Sequence, residues 1–401
     1  WSFHGMCFKR TFLLVVLYIP MSMFTQTLKP LELQDYPLCG ADQTELYLPL
    51  LQHKRVALLT NASGLIKRQF LLDTLLKRQI NIVKVFGPEH GFRGKADAST
   101  TVADERDPVT GVAVISLYGS QKKPSLAQLK DVDVVVYDIQ DVGVRFYTYL
   151  STLSYMLECC AELHIPVIVL DRPNPNGFYI DGPVMETDCR SFLGRFPIPI
   201  VYGMTGGELA KMMIGEAWLE SSNTPSLLVI PMQGYARNKT VQLPVPPSPN
   251  LKTLDAILNY PSLGWMEGTC LSLGRGTETP FMLFGHPQYV NARFSFTPLP
   301  NNLNTKPRYA HTLCYGKSLA HINWLKNHPR KLNLLWLMEA YAAIPDSVLF
   351  FESTFDKHSG SKLLQKQIKQ GLSETQIRQT WANKIELFKK QRKRYLLYPD
   401  F

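Results

Sequence analysis

No set of cysteines or histidines in this chain stands at the short, regular offsets of a zinc site, so a structural metal framework is not expected. Of its seven cysteines, the adjacent pair Cys159-Cys160 lies on an apolar helical pattern and reads as core. The loops that cradle cofactors are missing as well. The first expected strand runs into Asn61-Ala62-Ser63-Gly64 and not into GxGxxG, no GxxxxGK[ST] occurs, and the later GRGTETP opens no helix. No cofactor is expected. No GxSxG turn presents a serine nucleophile. Zinc-finger spacing, RNP-like aromatic strands and a basic helix joined to heptads are all absent, which argues against nucleic acid as a partner. Apart from residues 11–20, no apolar run approaches membrane-spanning length.

What is present describes a globular chain. Its 401 residues, 45% hydrophobic and 19% charged, leave room for two domains with cores of their own. The formal net charge is +10, and much of it falls on Lys384, Lys389, Lys390, Arg392, Lys393 and Arg394. That run reads as the solvated face of a helix, with a polyanion contact as the alternative. Lys9-Arg10 precede the apolar stretch TFLLVVLYIP, and polar sequence returns by Gln26. This is the layout of a secretory signal over residues 1–26. It implies an exported protein, periplasmic or secreted, without stable membrane insertion once the signal is gone.

Apolar runs rich in β-branched residues fall at 56–60, 82–86, 114–117, 132–137, 165–170 and 227–231. Helical patterns at 70–78, 126–129 and 150–163 lie between them. Strand, polar turn and helix in repeated order predict an α/β domain, doubly wound on a parallel sheet, over residues 40–248. Thr205 followed by Glu208 forms a capping box, so Glu208 reads as structural. The Pro-rich segment LPVPPSP, residues 243–249, marks the boundary and a hinge. Beyond it, residues 249–401 mix helices (254–258, 332–343, 377–397) with a short strand at 293–296, which predicts a smaller α+β domain.

Parallel strands bring their carboxyl-end turns to one rim, where open α/β folds bind ligands. Gly87-Pro88 ends one strand and is followed by Glu89, His90 and Arg93. Tyr118, Asp138, Asp141 and Asp171 follow other strands. Cleavage of a glycosidic bond needs an acid for the leaving oxygen and a second group to support attack at the sugar carbon. Glu89, beside His90, is the candidate acid. Glu267 and Glu278, on Gly- and Thr-rich turns of the second domain, are candidates to face it across an interdomain cleft. Asp138 and Asp141 would bind sugar hydroxyls, and Tyr118 and Tyr147 would stack on sugar faces.

Seven ordered motifs, GPEHGFRG, YDIQDVGVRFYTY, LDRPNPNG, YGMTGGELA, PPSPN, YPSLGWMEGT and SLGRGTETPF, together resemble the exo-β-N-acetylmuramidase family, formerly a domain of unknown function. The resemblance runs from about Arg55 to at least Pro287. It implies a Rossmann-like N-terminal domain, a smaller C-terminal domain and an active site in the cleft between them. It further implies release of terminal N-acetylmuramic acid from the non-reducing end of peptidoglycan fragments, with the glutamate of GPEHG, here Glu89, as catalytic residue. The lactyl carboxylate of that sugar calls for a guanidinium, and Arg93, Arg145 and Arg275 are the candidates. Asn174, Asn250 and Thr277, polar residues of the same motifs, complete the expected substrate-binding set. A non-catalytic muropeptide-binding protein using the same cleft is the alternative, and a nucleotide-dependent enzyme ranks last.

Overall fold

The computed structural model describes residues 29–88, 92–93 and 105–401. The signal run and the Glu89-His90 pair lie outside the described residues.

Six parallel strands form the central sheet: β1 (Val56–Thr60), β2 (Ile82–Gly87), β3 (Ala113–Ser116), β4 (Val134–Asp138), β5 (Val167–Leu170) and β6 (Leu227–Ile230). Their spatial order is β6-β5-β4-β1-β2-β3, and a two-residue strand, Glu105–Arg106, pairs antiparallel at the β3 edge. Every residue of β1, β4 and β5 is buried. Strands covered on both faces need no polar alternation, which is why they read as unbroken apolar runs. Side-chain alternation still divides them. Leu58, Val85, Val136 and Ile168 face one layer with Tyr47, Leu51, Leu71 and Leu75. Ala57, Leu59, Val135 and Val167 face the other with Leu153, Leu157, Leu209 and Met213. The first layer is supplied by α1 (Thr44–Leu51) and α2 (Leu71–Lys77), the second by α3 (Tyr149–Glu162) and α4 (Gly206–Gly215).

The chain winds outward from β1 to β3, returns to β4 on the other side of β1, and winds outward again to β6. The order therefore reverses between β1 and β4, and the crevice of a Rossmann-like sheet opens at the carboxyl ends of those two strands.

The second domain carries a three-stranded antiparallel sheet, β7 (Leu283–His286), β8 (Phe294–Phe296) and β9 (Cys314–Ser318), with β9 in the middle. Around it lie α5 (Leu254–Leu263), α6 (Leu334–Ala343), α7 (Lys362–Lys369) and α8 (Glu374–Arg392). Helix α5 runs five residues beyond the expected end at 258 and includes Pro261. Proline has no N–H for the carbonyl four residues back. That carbonyl, of Ile257, instead accepts from Nδ2 of Asn176 in the first domain at 3.1 Å.

The two domains share one core. Leu258, Trp265, Phe281, Trp336 and Trp381 belong to the same buried cluster as Leu153 and Met212. Residues 243–249 cross between the domains with Leu243, Pro247 and Ser248 buried and Pro244 and Pro246 exposed. Helix α8 returns to the first domain, where Arg378 pairs with Asp181 at 2.6 Å and the Tyr398 hydroxyl donates to Asp171 at 2.6 Å. Basic residues at its end and just beyond are partly paired: Lys389 with Glu386, the buried Arg392 with Asp400, and Arg394, past the helix, with Glu216. The six described cysteines are free and buried. No helix among the described residues is long and apolar enough to cross a membrane.

Candidate active site

The rim of the crevice is built by two turns that hold each other. After β1, Ser63 Oγ donates to Asn61 Oδ1 at 2.5 Å and accepts from the backbone N–H of Gln140, beyond β4, at 2.9 Å. Thr60 Oγ1 donates to the Asp138 carbonyl at 2.7 Å. A side chain at Gly64 would put its Cβ 2.0 Å from Thr60 Oγ1, so glycine is required in this turn.

The segment after β4 is folded from within. Asp141 accepts from the Gly143 N–H at 2.8 Å and from the Tyr202 hydroxyl. Gly143 has φ +76°, and a Cβ there would meet Asn174 Oδ1 at 2.0 Å. Arg145 is buried and donates to the carbonyls of Pro183 (2.7 Å), Ile198 (2.8 Å), Ser359 (2.7 Å) and His358 (3.2 Å). It thereby joins this segment to the second domain. The outcome is that residues 146–149 face the cleft. The Tyr147 hydroxyl donates to the Pro247 carbonyl at 2.7 Å, and its ring meets Tyr149 and Tyr260 edge-on at 4.8 and 5.9 Å.

The opposite wall comes from the second domain. Helix α5 tightens into a 3-10 turn, Gly264–Gly268, that carries Glu267. Glu267 Oε1 accepts from Arg275 Nε at 3.0 Å and Nη2 at 2.8 Å, and the guanidinium lies 5.2 Å from the Phe281 ring centre. Gly274 and Gly276, with φ of +80° and +84°, shape the turn that carries Arg275. Thr277 Oγ1 donates to the Gly274 carbonyl at 2.7 Å and closes it.

The described residues enclose two cavities in the cleft. One, of about 110 Å³, is bounded by Phe146, Tyr147, Tyr260, Phe281, Glu267 and Arg275. The next, of about 280 Å³, also touches Tyr149 and Ser248, and is bounded by Asn61, Ser63, Arg93 and residues 245–249. Arg93 is anchored there by Asp107 at 2.6 Å and Asp73 at 3.2 Å, and holds the Asp107 carboxyl down at about 2.

Glu267, Arg275, Tyr147 and Arg93 are thus brought together. Several other expected substrate ligands turn inward. Asp138 is buried and paired with Arg172 at 2.5 Å. Asp141 is fully enclosed, and burial pushes its carboxyl up to about 6. Arg145, expected to meet the lactyl carboxylate, instead braces the fold through backbone carbonyls. Asn174 Nδ2 donates to the Met204 carbonyl at 2.8 Å, and Asn250 Oδ1 accepts from Asn304 Nδ2 at 3.0 Å. Glu278 is exposed and lines neither cavity; Tyr118, half-buried after β3, lines neither. Glu89 and His90 fall in the stretch outside the described residues, between Pro88 at the tip of β2 and Phe92-Arg93. Among the described residues, no three His, Cys, Asp or Glu side chains gather as a metal site would require. Ser63, Tyr260 and Phe281 line the cleft without having been singled out from sequence. The polar turn after the first strand was the visible signal for Ser63, and Tyr260 and Phe281 stood only as members of the motifs YPSLGWMEGT and SLGRGTETPF.

With this geometry in hand, comparison with known proteins is specific. Residues 56–255 match the N-terminal region, and residues 258–398 the C-terminal region, of the family described as exo-beta-N-acetylmuramidase NamZ. The peptidoglycan beta-N-acetylmuramidase NamZ of Bacillus subtilis (strain 168) is 37% identical over an alignment of 377 positions that covers 88% of this chain and 89% of that protein. A crystal structure of a DUF1343 family protein from Bacteroides fragilis NCTC 9343 superimposes with a TM-score of 0.83 at 41% identity, covering 91% of this chain and 99% of the other. A second DUF1343 family protein from the same organism gives a TM-score of 0.78 at 30% identity, covering 90% and 99%.

Proposed function

The chain belongs to the exo-β-N-acetylmuramidase NamZ family, and from that membership we propose that it is an exported enzyme releasing terminal N-acetylmuramic acid from the non-reducing end of peptidoglycan fragments. It is a glycoside hydrolase, and peptidoglycan is the substrate class that the family supports. The observation that carries the finer reading is the cleft at the β1–β4 crossover, where an ion-paired carboxylate, Glu267, stands among aromatic rings. Phe146, Tyr147, Tyr260 and Phe281 supply the flat apolar surface on which a sugar ring would pack. Export is supported by the sequence of residues 1–26.

Glu89 is the general acid in this reading. Its support is its place in the chain, two residues past the end of β2 and four before Arg93, which lines the cleft. It gives its proton to the departing glycosidic oxygen. Glu267 then supports the positive charge that develops at the anomeric carbon, either as base for water or as stabiliser while the substrate's acetamido oxygen attacks. Glu267 is preferred to Glu278 because only the former lines the cleft. Arg275 and Arg93 are the guanidinium groups available to the lactyl carboxylate; Arg145 is enclosed by carbonyls.

Incubation with the disaccharide of N-acetylmuramic acid and N-acetylglucosamine tests the proposal. Free N-acetylmuramic acid is expected in solution. Saturable binding of the disaccharide with no released sugar would instead make the cleft that of a lectin.

A further inference from the structure

The two segments that line the second cavity, residues 61–63 and 245–249, lie next in the chain to Leu65 and Pro244, which border a third cavity of about 310 Å³. None of the chemistry described so far uses this space. We infer that it is a sugar subsite for a second N-acetylmuramic acid, two residues beyond the bond that is cut, and that the enzyme prefers oligosaccharides to the disaccharide. The inference rests on the activity proposed above.

The cavity combines flat apolar surface with a cation, the composition of a site for an acidic sugar. Tyr36, Pro37 and Pro244 supply the apolar surface together with Leu38, which remains 43% exposed. Leu38 is presented by its main chain, paired with Gln233 through bonds of 3.0 and 2.9 Å. The cation is Lys67. Its backbone is fixed at φ +55° and donates to Asp42 Oδ1 at 2.9 Å. Arg172 also borders the cavity, but its guanidinium is matched by Asp138 at 2.5 and 2.9 Å. Lys67 makes no ion pair with a described residue, and Asp42 turns its two oxygens to the backbone N–H groups of Cys39 and Lys67.

The polymer's own alternation supplies the match. With the terminal N-acetylmuramic acid in the first cavity, N-acetylglucosamine occupies the second, and the sugar in the third is again N-acetylmuramic acid. Its lactyl carboxylate is the group that an ammonium would recognise.

The test compares kcat/KM for the peptide-free disaccharide and the peptide-free tetrasaccharide of the same alternating sequence. Wild-type protein should favour the tetrasaccharide by about tenfold, the size of one charge-assisted contact. Lys67→Gly, which suits the left-handed backbone, and Leu38→Ser should each reduce that preference while leaving disaccharide turnover unchanged. Retained disaccharide turnover also reports that the variants are folded. Equal values for the two substrates in wild type overturn the inference, as does a preference that survives in both variants. A wild-type protein that cleaves neither substrate refutes the activity itself, and this inference with it.

Discussion

Replacing Asp141 by asparagine isolates the charge buried beneath the cleft. One carboxyl oxygen accepts from the Tyr202 hydroxyl and the Gly143 N–H, while Oδ1 has no hydrogen-bond partner among the described residues. Burial pushes the group from its ordinary 3.8 up to about 6. A carboxyl whose folded pKa lies above its unfolded value holds its proton more tightly in the native state. The stability this confers is complete below the unfolded pKa and is lost as pH rises through the window from about 4 to about 6. The full change is worth roughly 3 kcal/mol, of which about 2 kcal/mol falls between pH ~4.5 and pH ~7.5. An amide keeps an oxygen for Tyr202 and Gly143 but does not titrate. The unfolding free energy of Asp141→Asn should therefore gain on that of the wild type by about 2 kcal/mol over that range. Asp171, also pushed up to about 6, titrates in both proteins and cancels from the difference. Urea unfolding followed by tryptophan fluorescence at the two pH values measures it. A difference that stays constant within ~0.5 kcal/mol would mean that the carboxyl is hydrated, and that the segment feeding residues 146–149 into the cleft is held in some other way.

Three further perturbations address the frame and the chemistry. Arg145→Met leaves four carbonyl oxygens of two domains without their donor and should cost about 3–5 kcal/mol in denaturant unfolding; a cost under ~1 kcal/mol would contradict the bracing role. Glu267→Gln should lower kcat on the disaccharide by about a hundredfold or more with little change in melting temperature, because its ion pair is partly exposed. Turnover close to wild type would remove Glu267 from the reaction. Tyr398→Phe deletes a hydroxyl that donates to Asp171 at 2.6 Å and accepts from the Met232 N–H at 2.9 Å, and should destabilise the fold by about 1–3 kcal/mol; an unchanged unfolding midpoint would show that the C-terminal tail is not clamped there.

The layered fold was legible because its signals are local. Val56–Thr60 and Val134–Asp138 are covered on both faces, and such strands must be apolar throughout. The capping box at Thr205 and Glu208 was equally visible, since both partners lie within one turn. Sequence did not reveal that Arg237 also pairs with the buried Glu208, 29 positions away. The same distance problem governs the site. A strand-end aspartate can face the rim or the core, and what decides is a partner remote in sequence. Arg172 draws Asp138 inward from 34 positions away, and Tyr202 does so for Asp141 from 61. Arg145 resembled an anion ligand because its carbonyl partners, at 183, 198, 358 and 359, carry no side-chain signature. The proline content of 243–249 marked the crossing between domains, but not that the Pro247 carbonyl is tied to Tyr147 from 100 positions away.

Turnover of the peptide-free disaccharide by Glu89→Gln tests the proposed chemistry most directly. The natural leaving group is a poor one and needs a proton, so kcat should fall by about a hundredfold or more while the protein stays folded and still binds the sugar. A variant that releases N-acetylmuramic acid at the wild-type rate would contradict the assignment of the acid.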